Sequence, residues 1–137
     1  MQHAQHTSGE FTFANWEENT VGRAADGPKL ALASVVNTFS GGIEAAETTC
    51  GYTITYATEN TGAFTGFELL QGTVDGRKGT FILEERGSFD ADGSVHCTFD
   101  VVHGSATDEL TGLTGRGHFT VHQGTPSTRY TFAYDLG

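Results

Sequence analysis

The feature that most constrains this chain is its punctuation: clusters of Gly, Asp and Asn break it into short segments of strand-forming residues from one end to the other. Asp26-Gly27-Pro28, Ser40-Gly41-Gly42, Glu59-Asn60-Thr61-Gly62, Asp75-Gly76, Asp90-Ala91-Asp92-Gly93 and Gly124-Thr125-Pro126-Ser127 each carry tight-turn chemistry. Between them lie eight predicted strands: Gly9–Trp16, Leu30–Phe39, Ile43–Tyr56, Phe64–Val74, Thr80–Phe89, Val95–His103, Gly117–Gln123 and Arg129–Asp135. The longer connection from Gly104 to Arg116 has room for one helical turn near Asp108 to Thr111. Successive hairpins make a meander, and eight strands suffice to close a barrel of lipocalin-like size, which also removes exposed sheet edges. The expected fold is therefore all-β, a single eight-stranded antiparallel β-barrel spanning residues 1–137, with 1–8 as a flexible N-terminus. A two-sheet sandwich is the structural alternative.

Composition supports strands over helices. The 137 residues include 19 Gly, poorly suited to helix interiors, alongside 10 Phe, 4 Tyr and Trp16, whose large apolar area argues against disorder. Gly-x-Phe opens four of the strands, at Gly9–Phe11, Gly62–Phe64, Gly79–Phe81 and Gly117–Phe119. A repeated ligand platform would produce such an echo, but barrel geometry, with Gly at a rim and Phe beginning an inward face, explains it better.

Charge narrows the partners. Seventeen acidic residues against seven basic give a formal charge of −10, and the basic residues are scattered from Arg23 to Arg129. A protein that displaces counterions from phosphates needs a clustered positive field, so nucleic acid and anionic membrane are not expected as partners. There is no apolar run of bilayer-spanning length, and the start lacks the charged and apolar regions of a signal peptide, so the expected location is cytoplasmic. Cys50 and Cys97 are too few for a disulfide scaffold and are expected as free, buried thiols.

From Gly66 to Phe119 the sequence becomes specific. Gly66-Phe-Glu68, Gly72-Thr-Val-Asp75-Gly76-Arg77-Lys-Gly79-Thr-Phe81, Gly87-Ser-Phe89 and Glu109-Leu110-Thr-Gly112-Leu113-Thr-Gly115-Arg-Gly117 resemble a widespread bacterial domain-of-unknown-function family of small proteins. Gly27-Pro28-Lys29-Leu30 and Phe39-Ser40-Gly41 extend the resemblance over nearly the whole chain. Members of that family look like allene oxide cyclases in fold, which implies an eight-stranded barrel around a side-chain-lined cavity. Barrel cyclases of this kind hold a reactive apolar substrate in a productive shape, sometimes with a buried carboxylate. No motif carries their functional residues onto this chain position by position, and fold alone does not fix function.

Strand alternation then nominates a site. Cys50, Tyr52, Ile54 and Tyr56 share one face; Phe81, Leu83, Glu85 and Phe89 another; Val95, Cys97, Phe99, Val101 and His103 a third; Tyr130, Phe132 and Tyr134 a fourth. These faces are expected to point inward. Glu68 shares parity with Phe64, Leu70 and Val74, whereas Phe67 and Leu69 claim the opposite parity, a conflict that a bulge would reconcile. A carboxyl in an apolar cavity has its charged form disfavoured, which suits acid–base work, so Glu68 is the candidate catalytic group. Tyr52, Tyr56, Glu85, Phe99, His103 and Tyr134 are the candidate ligand-binding residues, with Tyr52, Tyr56, Glu68 and Tyr134 expected to face one cavity.

Six histidines raise the question of a metal. His118 and His122 have helical ligand spacing, but on a strand four residues span ~13 Å, too far for one ion. His3 and His6 fall in the expected flexible start, and no His-x-His or His-Glu-x-x-His is present. No metal, nucleotide or other cofactor is expected. Gly-x-Ser-x-Gly is absent, and the Gly-rich run at Gly112–Gly117 lacks the helix and lysine of a phosphate loop.

The expected function is binding of a small, largely apolar organic molecule in the barrel interior, with isomerase or cyclase activity as its enzymatic form. The competing reading is a non-catalytic binding or interaction module whose barrel is packed solid. A cavity above ~300 Å³ separates the two. Among assemblies, a homodimer is the one considered.

Overall fold

The computed structural model describes residues 4–137 and contains one antiparallel sheet. Its strands are β1 (Gln5–Arg23), β2 (Lys29–Gly41), β3 (Ile43–Glu44), β4 (Thr49–Tyr56), β5 (Gly62–Val74), β6 (Arg77–Phe89), β7 (Val95–Val101), β8 (Thr114–Val121) and β9 (Thr128–Asp135). Eight of them follow one another around a ring, β1-β2-β4-β5-β6-β7-β8-β9, and pairing of β9 with β1 closes it. This is the all-β, eight-stranded meander that the turn spacing predicts. The single 3-10 turn, Asp108–Leu110, lies in the connection expected to hold it. Among the described residues no helix is long and apolar enough to cross a membrane.

Most boundaries shift by a few residues, as in β8, which begins at Thr114 rather than Gly117, and three differences change what faces the interior. The third predicted strand, Ile43–Tyr56, is interrupted: Ile43 and Glu44 form β3 against the end of β5, and the chain re-enters the ring only at Thr49. Glu47 adopts a left-handed backbone, φ 52°, inside that interruption. β7 stops at Val101, so His103 falls in an exposed turn and not on the inward face assigned to it. The first strand is much longer than Gly9–Trp16. Its expected flexible start over 1–8 includes residues 1–3, which with His3 lie outside the described residues, but Gln5–Ser8 pair with Tyr134–Thr131 of β9.

Parity on β5 resolves without a bulge. The register between β5 and β6 is continuous from Gly62 to Val74, with Phe64, Glu68, Leu70 and Val74 buried while Phe67 and Leu69 stand outside, half exposed. The bulges fall on β1 instead, at Ala14/Glu17 and Thr20/Gly22, where Asn15 takes φ 58°. Beyond Phe11, β1 pairs with β2 alone, which leaves its outer half without a neighbour on the β9 side.

The Gly-x-Phe echo has a packing cause. A Cβ on Gly9 would meet the Tyr130 hydroxyl at 2.4 Å, one on Gly62 the Phe89 ring at 2.7 Å, and one on Gly117 the Phe99 ring at 2.2 Å. Each of these glycines lies directly across from that aromatic residue on the neighbouring strand. Gly79 makes room for Leu110 in the same way, its absent Cβ falling 3.1 Å from that side chain. The glycines are therefore slots into which large rings lie, which lets a narrow ring of strands hold so many Phe and Tyr.

The interior divides along its axis. At one end Phe39, Ile43, Leu70, Phe81, Phe99, Leu110 and Phe132 pack into a continuous core, and β3 and the 3-10 turn bring Ile43 and Leu110 in as plugs. Tyr130 ties this end together: its hydroxyl donates to the Ser40 carbonyl at 2.9 Å and accepts the Ile43 N–H at 2.9 Å. Tyr130→Phe leaves that buried N–H without an acceptor and is expected to lower the unfolding free energy by about 1–3 kcal/mol. Urea titration measures this, and an unchanged midpoint would show the hydroxyl to be energetically idle. The opposite end is built from smaller residues, Ala31, Ala33, Ile54 and Cys97, with Phe64 as its largest fully enclosed ring.

Candidate functional site

Three strands each carry one polar residue among their inward side chains at the middle of the barrel. Along β2 they run Ala33, Val35, Asn37, Phe39; along β5, Phe64, Gly66, Glu68, Leu70; along β6, Leu83, Glu85, Gly87, Phe89. Alternation turns Asn37, Glu68 and Glu85 inward; the register pairs Glu68 with Leu83 and Glu85 with Gly66, and it is their side chains that converge between the packed end and the open end. Cys50, opposite Glu68 on β4, joins them, as does Thr48 from the segment that interrupts the predicted third strand.

This level is a hydrogen-bonded network. Asn37 Nδ2 donates to Glu68 Oε2 at 2.8 Å, and the Thr48 hydroxyl donates to the same oxygen at 2.5 Å. The Tyr52 hydroxyl donates to Glu85 Oε1 at 2.6 Å. The carboxyl groups of Glu68 and Glu85 bring an oxygen each within 4.8 Å of one another, and both side chains are 1% exposed. Burial, and then the neighbouring Glu68 carboxyl, hold the Glu85 pKa well above the ordinary carboxylate range; bonds from Tyr52 and Cys97 oppose this without cancelling it. Burial raises the Tyr52 phenol too, with Glu85 as the next cause. The thiols of Cys50 and Cys97 are driven up by burial and then by the neighbouring carboxyls, so both remain thiols. Both are free, as expected.

Above this level lies a cavity of about 580 Å³ that opens to solvent at the small-residue end of the barrel. Eight of its lining side chains are aromatic, contributed by Phe11, Phe13, Trp16, Tyr52, Tyr56, Phe64, Phe89 and Phe119. Tyr52 packs edge-on to Phe64 at 5.1 Å between centroids and faces Trp16 at 6.3 Å. The Tyr56 hydroxyl donates to Glu18 at 2.5 Å, and burial together with that bond pushes its pKa up to about 12. Asn37 and Tyr52 form the polar floor, while Glu59, Asn60, Asp90 and Gln123 stand at the mouth on the turns after β4, β6 and β8.

The residues nominated from sequence are thus only partly brought together. Tyr52 and Tyr56 line the cavity. Glu68 and Glu85 lie just beneath it, reached through Asn37 and Tyr52. Tyr134 and Phe99 belong to the packed end, where the Tyr134 hydroxyl donates to Asp75 and its pKa rises to about 12 through burial and that carboxylate. The expectation that Tyr134 shares a cavity with Tyr52 is corrected by its place near the C-terminal end of β9, beyond the polar level. His103 is excluded by its exposed turn.

Several site residues escaped the sequence reading. Asn37 is a polar interruption of the face Ala31, Ala33, Val35, Phe39, a signal of the same kind that exposed Glu68 and Glu85. Trp16 was hidden by the bulge at Asn15, which shifts parity along β1. Cys50, Glu68 and Glu85 bring one donor atom each within 4.8 Å of one another, a metal-ligating combination that sequence spacing did not reveal because it joins three strands. Its carboxyl oxygens already accept from Asn37, Thr48 and Tyr52, and its sulfur is held as a thiol. With the Glu85 pKa held up by burial, this level favours a protonated carboxyl at Glu85.

A family model described as a protein of unknown function, DUF3224, matches residues 7–134. A crystal structure of a protein of unknown function from that family, from Shewanella oneidensis MR-1, superposes with a TM-score of 0.74 at 24% identity, covering 96% of this chain and 97% of that one. That likeness shows a shared fold. No curated protein matches the chain.

Proposed function

The chain belongs to the DUF3224 family, and we propose that it binds a small, largely apolar organic molecule in the open half of its barrel. The observation that carries this reading is the cavity of about 580 Å³. Its size falls in the range of small-molecule sites, its walls are aromatic, and its few polar groups converge on one floor. A barrel packed solid throughout has no such space. Continuous pairing from β2 through β4, β5 and β6 to β7 holds most of the wall in place before a ligand arrives, while Phe13 and Trp16 stand on the half of β1 that pairs with β2 alone.

Catalysis within this reading is isomerisation or cyclisation of the bound molecule, as the family's likeness in fold to allene oxide cyclases implies, in a cytoplasmic setting. It runs through Tyr52, the partner of Glu85 that reaches the cavity. Tyr52 donates its hydroxyl proton to Glu85 Oε1 at 2.6 Å, which leaves its phenolic oxygen as the acceptor offered to the ligand. Glu68 acts at one remove, as a positioning residue that anchors Glu85.

Val95→Trp tests the site. Val95 lines the cavity and is half-buried, so a larger side chain there fills the space without entering the packed core. Binding of an environment-sensitive naphthalene dye is expected to weaken about tenfold or more, with stability changed by less than about 1.5 kcal/mol. Native mass spectrometry of protein from its own host is expected to find a co-purifying small molecule in the parent chain and to lose it in the variant. Equal dye binding by both chains, or none by the parent, would remove the site.

A further inference from the structure

We infer that the ligand is an organic cation: an apolar body carrying a protonated or quaternary amine. This rests on the cavity being a ligand site, and it adds the sign of the ligand's charge.

Three observations converge. First, no Lys, Arg or His is among the lining residues, whereas Glu59 and Asp90 stand at the mouth. Second, the floor is backed by Glu68 and Glu85, and neither carboxyl has a basic side chain among its hydrogen-bond partners, which are Asn37, Thr48, Tyr52 and Cys97. Acidic groups buried without a counter-charge are costly to ionise, and a cation in the cavity would supply the missing charge. Third, the walls between mouth and floor are ring faces and edges. Trp16, Tyr52 and Phe64 form a connected set with centroids 6.3 and 5.1 Å apart, and aromatic quadrupoles attract a cation without requiring it to shed its apolar surroundings.

The nearest basic groups do not reverse this. Lys29 sits 4.1 Å over the Tyr56 ring and, with Arg23, lines a smaller pocket that adjoins the mouth and shares Tyr56, Glu59 and Asn60 with the cavity, but neither basic side chain lines the cavity itself. His96 is exposed and paired with Asp90 at 3.2 Å. The Asn37 side chain gives its amide N–H to Glu68, and no hydrogen bond among the described residues takes its Oδ1. Asn37 lines the cavity, and since no buried side-chain oxygen among the described residues lacks a partner, its unbonded Oδ1 is open to the cavity as an acceptor for an ammonium N–H.

Three naphthalene probes of nearly equal shape separate charge from apolar fit: naphthylmethylammonium, naphthylmethanol and naphthoate. Titration calorimetry on the full chain is expected to give a dissociation constant about tenfold lower for the ammonium than for the alcohol, with the carboxylate weakest. Trp16→Leu keeps an apolar wall but removes a ring face, and is expected to reduce the ammonium's advantage more than it weakens the alcohol. If the alcohol binds as tightly as the ammonium, the charge inference fails while the apolar-ligand reading stands. A preference for the carboxylate overturns the inference outright. If none of the probes binds, both readings fall together.

Discussion

Glu85→Gln is expected to flatten the pH dependence of stability, and to raise stability on the alkaline side of neutrality. Glu85 is 1% exposed and its folded-state pKa lies well above the ordinary value of 4.5, through burial first and the Glu68 carboxyl second. Between the unfolded and folded values the native chain binds more protons than the unfolded one. Its contribution is therefore fully present below about pH 4.5 and is lost as pH rises toward the folded value. The loss amounts to at most ~1.4 kcal/mol for each pH unit crossed. Glutamine keeps the shape and accepts from Tyr52, but has no proton to lose. Urea unfolding of both chains from about pH 5 to about pH 9 should show two curves that diverge steadily with pH. Parallel curves would mean that Glu85 ionises freely in the fold, and its protonated state would have to be abandoned.

Phe99→Ala should be the most damaging single truncation tested at the packed end, at about 3–5 kcal/mol. The ring is 1% exposed, stacks obliquely on Phe132 at 5.7 Å and fills the slot left by Gly117. Gly117→Ala attacks the same contact from the other strand. The added methyl would lie 2.2 Å from the Phe99 ring and 2.4 Å from the Thr131 carbonyl, so at least one strand must move, at a cost of about 1–3 kcal/mol. Combining the changes should relieve the ring clash but not the backbone one. The double variant is then expected to be more stable than the sum of the single losses predicts, by about 0.5–3 kcal/mol in a denaturant cycle. Strict additivity would show that ring and glycine do not constrain each other.

Much of the architecture was legible because period-two alternation and turn chemistry are local. The clusters at Asp90–Gly93 and Asp75–Gly76 end strands wherever the chain lies in space, and the inward faces of β4, β6 and β9 follow from counting. What escaped was non-local or depended on a shift of parity. A bulge at Asn15 inverts the second half of β1, and with it the place of Trp16. Ile43 leaves the third predicted strand to plug the far end of the ring, a decision made by Val74 and Tyr130, which lie far away in sequence. Alternation also nominated Glu68, Glu85, Tyr52 and Tyr134 as inward without giving their height along the barrel axis. Height depends on the stagger between strands, and it is height that joins Tyr52 to Glu85 and separates Tyr134 from both.

The division of the interior into a packed end and an open end has an evolutionary consequence. Phe81, Phe99, Phe132 and Leu110 hold the packed end and do not line the cavity, while on the proposed reading Val35, Phe64, Val95 and Val121 shape what the cavity admits. A change in the second set alters which molecule fits and draws little on the stability supplied by the first. Since most substitutions destabilise and chains sit only a little above the threshold for folding, such a separation widens the range of sequences that can be sampled. On the proposed reading, ligand choice is then free to diverge at the mouth and walls while one barrel persists beneath, held by the rings and glycine slots of the packed end.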